Sequence, residues 1–224
     1  MTAVFVVRHP ETTWNVAQRY QGRLDSPLSA KGREQAEKVA MSFCPGTLDA
    51  VFTSPLTRAH YLAKRLAERT GAVLSVDNRL TEMAQGPWEG LRLQDIHAQH
   101  ADLYRRWYTC PELVRFPGGE DLAGVSRRGQ SLLSEAMTRF PRGSVAIVTH
   151  SVVIQTMALA ALSLESRFLH NIRVSNCGVT TLCGVDAPGS LFTLNSTESL
   201  HDSPLASAEA DGCKTWQPRR FTTT

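Results

Sequence analysis

Short apolar runs alternate along the chain with stretches of helical periodicity. The apolar runs, rich in β-branched residues, predict five strands, at 3–7, 50–53, 73–76, 145–149 and 179–185. After the second of them, apolar residues recur with helical spacing from Ala59 to Ala67, and Gly71 follows as a predicted C-terminal cap. This alternation is typical of β–α–β units, so the sequence predicts an α/β protein with a largely parallel sheet.

The other segments indicate how the chain is organised. Apolar stripes at 36–43 and 125–140 predict two more helices. The stretch 86–119 is less regular and rich in Trp and Tyr, and we interpret it as a partly helical insertion over the edge of the sheet. From about residue 196 polar residues dominate and periodicity ends. We therefore expect one domain at 1–195 and a flexible tail at 196–224.

Composition and charge narrow the class of protein. The 224 residues suffice for one core, and no apolar run approaches the ~20 residues of a membrane helix, so no membrane partner is expected. The net charge is only +3, without a run of five Lys or Arg, which disfavours a nucleic-acid partner. The five cysteines are scattered and form no C-x-x-C pair. Reduced thiols in a cytoplasmic protein are the simplest interpretation.

Two predicted strands end at a histidine. The first runs into Arg8 and His9, and the strand at 145–149 runs into His150, which precedes an apolar helix. Because ligands bind at the carboxyl ends of strands in open α/β sheets, both histidines can lie on one rim. A guanidinium donates to two phosphate oxygens, and an imidazole nitrogen can attack phosphorus. A structural role for either histidine is the alternative.

Two more charged residues follow predicted strands. Arg58 falls in the first turn of the helix after strand 50–53. A cation is unfavourable at that end of a helix unless an anion lies beside it, although a structural salt bridge explains it equally well. Glu82 follows the third strand and precedes a glycine-containing turn at 86–90. These residues are the remaining candidates for a phosphate-handling site.

Six ordered motifs carry a resemblance to a known family. They are Arg8–Asn15, Gln21–Ser29, Ser54–Ala59, Glu82–Gly90, Pro117–Glu120 and Thr149–Ser151. Together they resemble the histidine phosphatase superfamily, also called phosphoglycerate mutase-like, in its phosphatase branch. The resemblance covers roughly residues 3 to 185 and implies a three-layer α/β/α sandwich with a mostly parallel central sheet.

The resemblance also implies a function and a set of site residues. It implies a phosphomonoester hydrolase that acts on a small phosphorylated metabolite through a phosphohistidine, with no metal and no cofactor. His9 matches the nucleophile, Glu82 matches the general acid, and the residues that match the phosphoryl cradle are Arg8, Arg58 and His150. The residues that match the rest of the substrate pocket are Asn15, Gln21, Gly22 and Ser151.

The physical chemistry agrees with those implied roles. Phosphoryl transfer spreads negative charge over three oxygens, which two guanidiniums and an imidazole can stabilise in place of Mg²⁺. Nearby cations also disfavour the protonated form of His9, which leaves its attacking nitrogen free near neutral pH.

The sequence departs from the family pattern at two positions. Pro10 replaces the usual glycine after His9, so that position has no backbone N–H to offer a phosphate. Ser151 replaces glycine after His150 and either adds a hydroxyl to the pocket or narrows it. Neither change removes a group that transfers a phosphoryl group or a proton.

Several alternatives stay open at this stage. A phosphoglycerate mutase is less favoured because family mutases carry a longer insertion after the acid, and a non-catalytic phosphate-binding module is a third interpretation. A homodimer is the candidate oligomeric state. A second anionic group of the substrate has three candidate partners, for which a surface charge cluster is the alternative: Arg105, Arg106 and Arg115.

Overall fold

The computed structural model describes residues 2–183 and 191–200, without the side chains of 183, 191 and 192. The strands are β1 (Ala3–Arg8), β2 (Ala50–Thr53), β3 (Val73–Val76), β4 (Ser144–Thr149), β5 (Val179–Cys183) and β6 (Leu191–Ser196). They form one sheet in the order β3-β2-β4-β1-β5-β6. The first four strands are parallel, whereas β5 and β6 run antiparallel to their neighbours. The mostly parallel sheet predicted from the sequence is confirmed.

Seven α-helices surround this sheet in the described part of the chain. They are α1 (Thr13–Val16), α2 (Ala30–Met41), α3 (Thr57–Thr70), α4 (Leu93–Gln99), α5 (Ala101–Thr109), α6 (Leu122–Arg139) and α7 (Ser151–Ala161). Ser29 caps the N-terminal end of helix α2, where its hydroxyl accepts a hydrogen bond from the Gly32 N–H. Gly71 caps the C-terminal end of helix α3 with φ of 77°, a left-handed conformation that glycine adopts without strain. Short 3₁₀ turns lie at Asn78–Leu80, Gly86–Trp88, Pro111–Leu113, Ser166–Asn171 and Glu198–Leu200.

The core has two parts, one on each face of the sheet. Successive side chains of a strand point to opposite faces. On β1, Val4 and Val6 pack with α6, α7 and the 86–119 insertion, whereas Phe5 and Val7 pack with α2 and α3. This arrangement gives the three-layer α/β/α sandwich that the family resemblance implies.

The structure adds detail to the remaining expectations. The insertion packs through Trp88 and Trp107, which are almost fully buried, so these aromatic side chains belong to the core. Strand β6 was not predicted. The end of the predicted fifth strand, at 184–185, and the part of the predicted tail at 201–224 lie outside the described residues. The division into a domain at 1–195 and a tail at 196–224 stays a prediction.

The expectation about the cysteines is wrong in one respect. Cys110 and Cys177 are free thiols, but Cys44 is disulfide-bonded. The spacing of cysteines along a sequence does not show which thiols come close in space. The pattern therefore did not predict the disulfide of Cys44. Within residues 2–183 and 191–200, no helix is long and apolar enough to cross a membrane.

The sheet register brings the predicted strand ends together. Arg8 at the end of β1 pairs with Thr149 at the end of β4, and Thr53 at the end of β2 pairs with Val148. Because these three strands are parallel neighbours, the residues that follow them emerge at the same edge.

Candidate active site

A cleft of about 880 Å³ opens at this edge of the sheet. The sequence-predicted residues that line it are Arg8, His9, Asn15, Gln21, Gly22, Arg58, Glu82 and Ser151. His150 does not line the cleft, but its ring centroid lies 5.2 Å from that of His9. The structure therefore brings all nine predicted residues into one region.

His9 is held in a defined orientation directly after β1. Only 3% of the residue is exposed, and its Nδ1 lies 2.8 Å from the carbonyl oxygen of Pro10. A carbonyl can only accept, so Nδ1 carries the proton and Nε2 of the neutral ring keeps its lone pair. Burial holds the pKa of His9 well below its usual range, and the positive charges of Arg8 and Arg58 lower it further.

Arg8 is partly satisfied by the protein. Its Nη1 donates to the Val174 carbonyl at 2.6 Å, whereas its buried Nε has no hydrogen-bond partner among the described residues. Burial lowers the pKa of Arg8, and the nearby Glu82 carboxylate opposes that shift. A buried guanidinium N–H without a partner is costly, so this donor is suited to an incoming acceptor.

Arg58 lies in the first turn of α3, as predicted, and is 1% exposed. Its two terminal nitrogens donate to the carbonyls of Gly22 and Leu24, each at 2.7 Å, and one lies 3.2 Å from Asp25. The salt bridge considered from the sequence thus exists. One donor of the guanidinium is still unused, because the buried Nε lacks a hydrogen-bond partner in the described structure.

His150 lies at the N-terminal end of α7 and is fully buried. Its Nε2 lies 2.8 Å from the Ser54 hydroxyl, which accepts the Leu56 N–H at 3.2 Å. Its Nδ1 is buried and has no partner within the described ranges. Burial keeps the pKa of His150 well below the usual value for histidine, and the positive charge of Arg58 adds to this effect. The ring is therefore neutral near pH 7.

Glu82 points into the cleft with both carboxylate oxygens oriented. Oε1 accepts the Met83 N–H at 2.8 Å, and Oε2 accepts the Ser151 hydroxyl at 3.1 Å. The Val152 N–H at the start of α7 lies 3.5 Å from Oε2. These contacts fix the carboxylate beside the N-terminal end of α7, so Ser151 contributes a hydroxyl to the site.

The loop after Glu82 is held by an ion-pair cluster. Glu120 places its two oxygens 3.1 Å from two nitrogens of Arg128, and one oxygen also accepts the Ala84 N–H at 3.0 Å. The Glu120 N–H donates back to the Ala84 carbonyl at 2.9 Å. Arg128 in turn donates to the Arg79 carbonyl at 2.7 Å. The cluster joins the loop that carries Glu82 to α6.

Asn15, Gln21 and Gly22 form another wall of the cleft. The side-chain carbonyl oxygens of Asn15 and Gln21 each lie 3.1 Å from the Thr12 hydroxyl. Asn15 also accepts the Thr12 N–H and Gln21 accepts the Ser26 hydroxyl, each at 3.0 Å, so both amide groups are oriented. Gly22 has φ of 49°, and a Cβ there would meet the Glu89 carboxylate at 2.3 Å. Glycine therefore fits at this turn without strain and without displacing the Glu89 side chain.

Some residues of the site were not predicted from the sequence. Ser54 holds His150, and Asn176 donates to the His9 carbonyl at 3.0 Å. Glu120 lies in the Pro117–Glu120 motif, which by itself predicts no role for this residue. Ser54 directly follows a strand, a signal that already marked the two histidines, whereas Asn176 lies in a loop without any such pattern.

Three arginines considered for a second anionic group do not line the cleft. Arg105 pairs with Asp102 at 3.2 Å, and Arg115 pairs with Asp121 at 2.8 Å. Arg106 is exposed and donates to a backbone carbonyl. The surface-charge alternative is therefore the better interpretation of these residues, because their partners hold them on the outside of the insertion.

Comparisons with known proteins agree with this geometry. The chain is similar to phosphoserine phosphatase 1 of Hydrogenobacter thermophilus, with 30% identity over 197 residues, or 88% of this chain and 93% of that protein. It is 30% identical to a probable phosphoglycerate mutase of Enterobacter sp. over 189 residues, or 84% of this chain and 87% of that protein.

A solved structure and a family model complete the comparison. The mycobacterial glucosyl-3-phosphoglycerate phosphatase matches with a TM-score of 0.80 and 30% identity, over 87% of this chain and 99% of that one. The model of the histidine phosphatase superfamily, branch 1, matches residues 4–197. By sequence, fold and the clustering of its motifs around one cleft, the chain belongs to the histidine phosphatase superfamily and is a phosphatase.

Proposed function

We propose that this phosphatase hydrolyses small phosphorylated metabolites through a phosphohistidine on His9, without a metal ion. Arg8, Arg58 and His150 form the phosphate cradle, which receives the phosphoryl oxygens. Glu82 is the general acid and base. Asn15, Gln21, Gly22 and Ser151 complete the substrate pocket.

The observation that carries this proposal is a set of buried polar atoms without partners. Nε of Arg8, Nε of Arg58 and Nδ1 of His150 make no hydrogen bond within the described part of the chain. In this proposal the Ser54 hydroxyl is the donor to Nε2, which places the single proton of the neutral His150 ring on Nδ1. These three donors belong to residues that lie close to His9, and they suit the oxygens of one phosphoryl group.

The reaction takes two steps. Nε2 of His9 attacks phosphorus, the bond from phosphorus to the leaving oxygen breaks, and protonated Glu82 gives its proton to that oxygen. Water then attacks the phosphohistidine while the Glu82 carboxylate takes a proton from it. Phosphate leaves and both residues return to their starting states.

The side chains present support a reaction without a metal ion. Among residues 2–183 and 191–200, no three His, Cys, Asp or Glu side chains are grouped to hold a metal. Two guanidiniums supply positive charge beside His9 instead. We also keep a cytoplasmic location and the absence of a nucleic-acid partner as proposals. The free thiols of Cys110 and Cys177 support a cytoplasmic location, whereas the disulfide of Cys44 counts against it.

Phosphate release from a panel of phosphorylated metabolites, with excess chelator, tests the proposal. We expect release that His9→Ala abolishes and that His60→Ala, a histidine on α3 outside the cleft, leaves unchanged. Loss of activity on chelation would contradict metal independence. Equal activity of His9→Ala and the unaltered protein would contradict the role of His9.

Two other functions stay as alternatives. Similarity to the probable phosphoglycerate mutase favours phosphoryl transfer between hydroxyls of phosphoglycerate. Conversion of 3-phosphoglycerate to 2-phosphoglycerate without phosphate release would establish that function. A protein that binds phosphate esters but is inert toward all of them would be a non-catalytic binding module.

A homodimer is also kept as a proposal. Strand β3 lies at the edge of the sheet and leaves Val73 and Val76 exposed. The mass in solution, measured by light scattering, distinguishes a dimer from a monomer.

A further inference from the structure

The cleft extends beyond the phosphate cradle along a second surface, which we call the distal wall. It consists of Tyr108, His170, Ile172, Arg173 and Val174. The rings of Tyr108 and His170 stack at 4.3 Å, and Nε2 of His170 donates to the Trp107 carbonyl at 2.9 Å. Burial lowers the pKa of His170, so this ring is neutral near pH 7. Arg173 is therefore the cation of the distal wall.

Charge in the cleft is unbalanced. Its lining includes five Lys and Arg residues but only two carboxylates, Glu11 and Glu82. Lys31 lies 3.4 Å from Glu11, and Arg19 donates to a backbone carbonyl. The Arg173 guanidinium is exposed and, in the described part of the chain, forms no hydrogen bond, ion pair or ring contact. The other four cations of the cleft each have at least one such partner.

The backbone on both sides of Arg173 is fixed. Nε2 of Gln155 on α7 donates to the Ile172 carbonyl at 2.8 Å. On the other side, the Val174 carbonyl accepts from Arg8 at 2.6 Å. Arg173 is thus one residue, or ~3.8 Å of chain, from a residue in direct contact with the phosphate cradle. Its free guanidinium therefore extends from a fixed backbone that adjoins the phosphate cradle.

We propose that Arg173 binds a carboxylate on the leaving group, so the preferred substrates are phosphomonoesters that also carry a carboxylate. This inference rests on the proposed function of the cleft. A guanidinium presents a planar pair of N–H donors that matches both oxygens of a carboxylate. A second phosphate fits less well than a carboxylate beside Arg173. The phosphate cradle uses several donors for one phosphoryl group, whereas the distal wall has a single cation.

Two matched pairs of substrates isolate the carboxylate. Phosphoserine and phosphoethanolamine differ only by that group, and 3-phosphoglycerate and glycerol 3-phosphate differ by its replacement with a hydroxymethyl group. In at least one pair, we expect kcat/KM for the carboxylate member to exceed that of its counterpart about tenfold, the size of one hydrogen-bonded charge contact. Arg173→Gln should remove this preference while leaving the slower member within about twofold.

Variants and a second readout separate the explanations. Arg173→Lys keeps the charge without the paired donors and should restore only part of the preference. Arg167→Gln is the matched control, since this exposed arginine pairs with Glu165 at 2.7 Å and does not line the cleft. Calorimetric binding to the His9→Ala protein measures the same preference without turnover.

The results also distinguish the inference from the function on which it rests. Turnover that depends on His9 but shows no preference within either pair, or a preference that Arg173→Gln does not change, would overturn the carboxylate site alone. Absence of turnover with every ester would overturn the proposed function. In that case the carboxylate site would still be supported if His9→Ala binds the carboxylate member of a pair more tightly and the double variant with Arg173→Gln does not.

Discussion

His9 and His150 occupy equivalent places in the sequence but different places in the site. Each follows a buried parallel strand and precedes a helix. His9 lines the cleft and is oriented by the carbonyl of the next residue, whereas His150 lies behind it and contacts Ser54, which follows strand β2. The same local pattern therefore supplies one imidazole that lines the cleft and one neutral imidazole that is fixed behind it, which the proposed function uses as a donor.

Removing each imidazole gives the largest expected contrast. His9→Ala should lower kcat by ~10⁴-fold or more, because no phosphohistidine can form. His150→Ala should lower it by ~10²–10³-fold, the loss of one donor to the transition state. Steady-state phosphate release measures both. Similar losses for the two variants would contradict the division of roles.

The residues that hold the two imidazoles should matter less. Ser54→Ala removes the contact to His150, and Asn176→Ala removes the contact to the His9 carbonyl. We expect about a tenfold fall in kcat for each, with little change in KM, because one hydrogen bond positions a reacting group.

A serine outside the site controls for general destabilisation. Ser42→Ala removes a hydroxyl that donates to the Val39 carbonyl at the end of α2. It should cost stability without lowering kcat. If Ser54→Ala and Asn176→Ala behave like Ser42→Ala, their role is structural only.

Acid should destabilise the fold through the buried imidazoles. The pKa of His150 is lower in the folded protein than in the unfolded chain, where it is about 6.5, so the unfolded state binds more protons in acid. The free energy of unfolding should therefore fall by ~1 kcal/mol per pH unit for this residue as pH decreases below about 6.5. Urea unfolding between pH 7.5 and 5 measures the slope, which His150→Gln should reduce. If His150→Gln leaves the slope unchanged, the folded and unfolded states bind protons at residue 150 equally, and the buried ring is not held neutral in acid.

The residue after each histidine should give the smallest effects. Pro10→Gly keeps the carbonyl that orients His9, so we expect a change in kcat of no more than about threefold. Ser151→Gly removes a hydroxyl from Glu82 and should lower kcat about threefold to tenfold. Comparison of the two rates tests whether the hydroxyl contributes. A larger effect of Pro10→Gly than of Ser151→Gly would contradict this ranking.

Features set by local pattern could be predicted from the sequence. Apolar strands followed by His9 and His150, and the helical stripe after Arg58, report which face of each element is buried. In a parallel sheet that information also places their ends at one edge. The fold and the cluster of charged residues therefore followed from the sequence.

Features that depend on distant contacts could not be predicted. Asn176 reaches His9 across 167 positions in the chain, and no periodicity marks it. Strand β6 is antiparallel at the edge of the sheet, with an irregular register against β5. The free guanidinium of Arg173 became informative only once the partners of the other cleft cations were known.

Locating the phosphoryl group during turnover tests the central claim most directly. Enzyme quenched in base, which preserves phosphohistidine, can be digested and the modified peptide identified by mass spectrometry. The account predicts a single phosphoryl group on His9, still formed slowly in His150→Ala and absent in His9→Ala. A phosphoryl group on His150, or none on His9 when Glu82→Gln is given p-nitrophenyl phosphate, whose leaving group needs no proton from the acid, would contradict it.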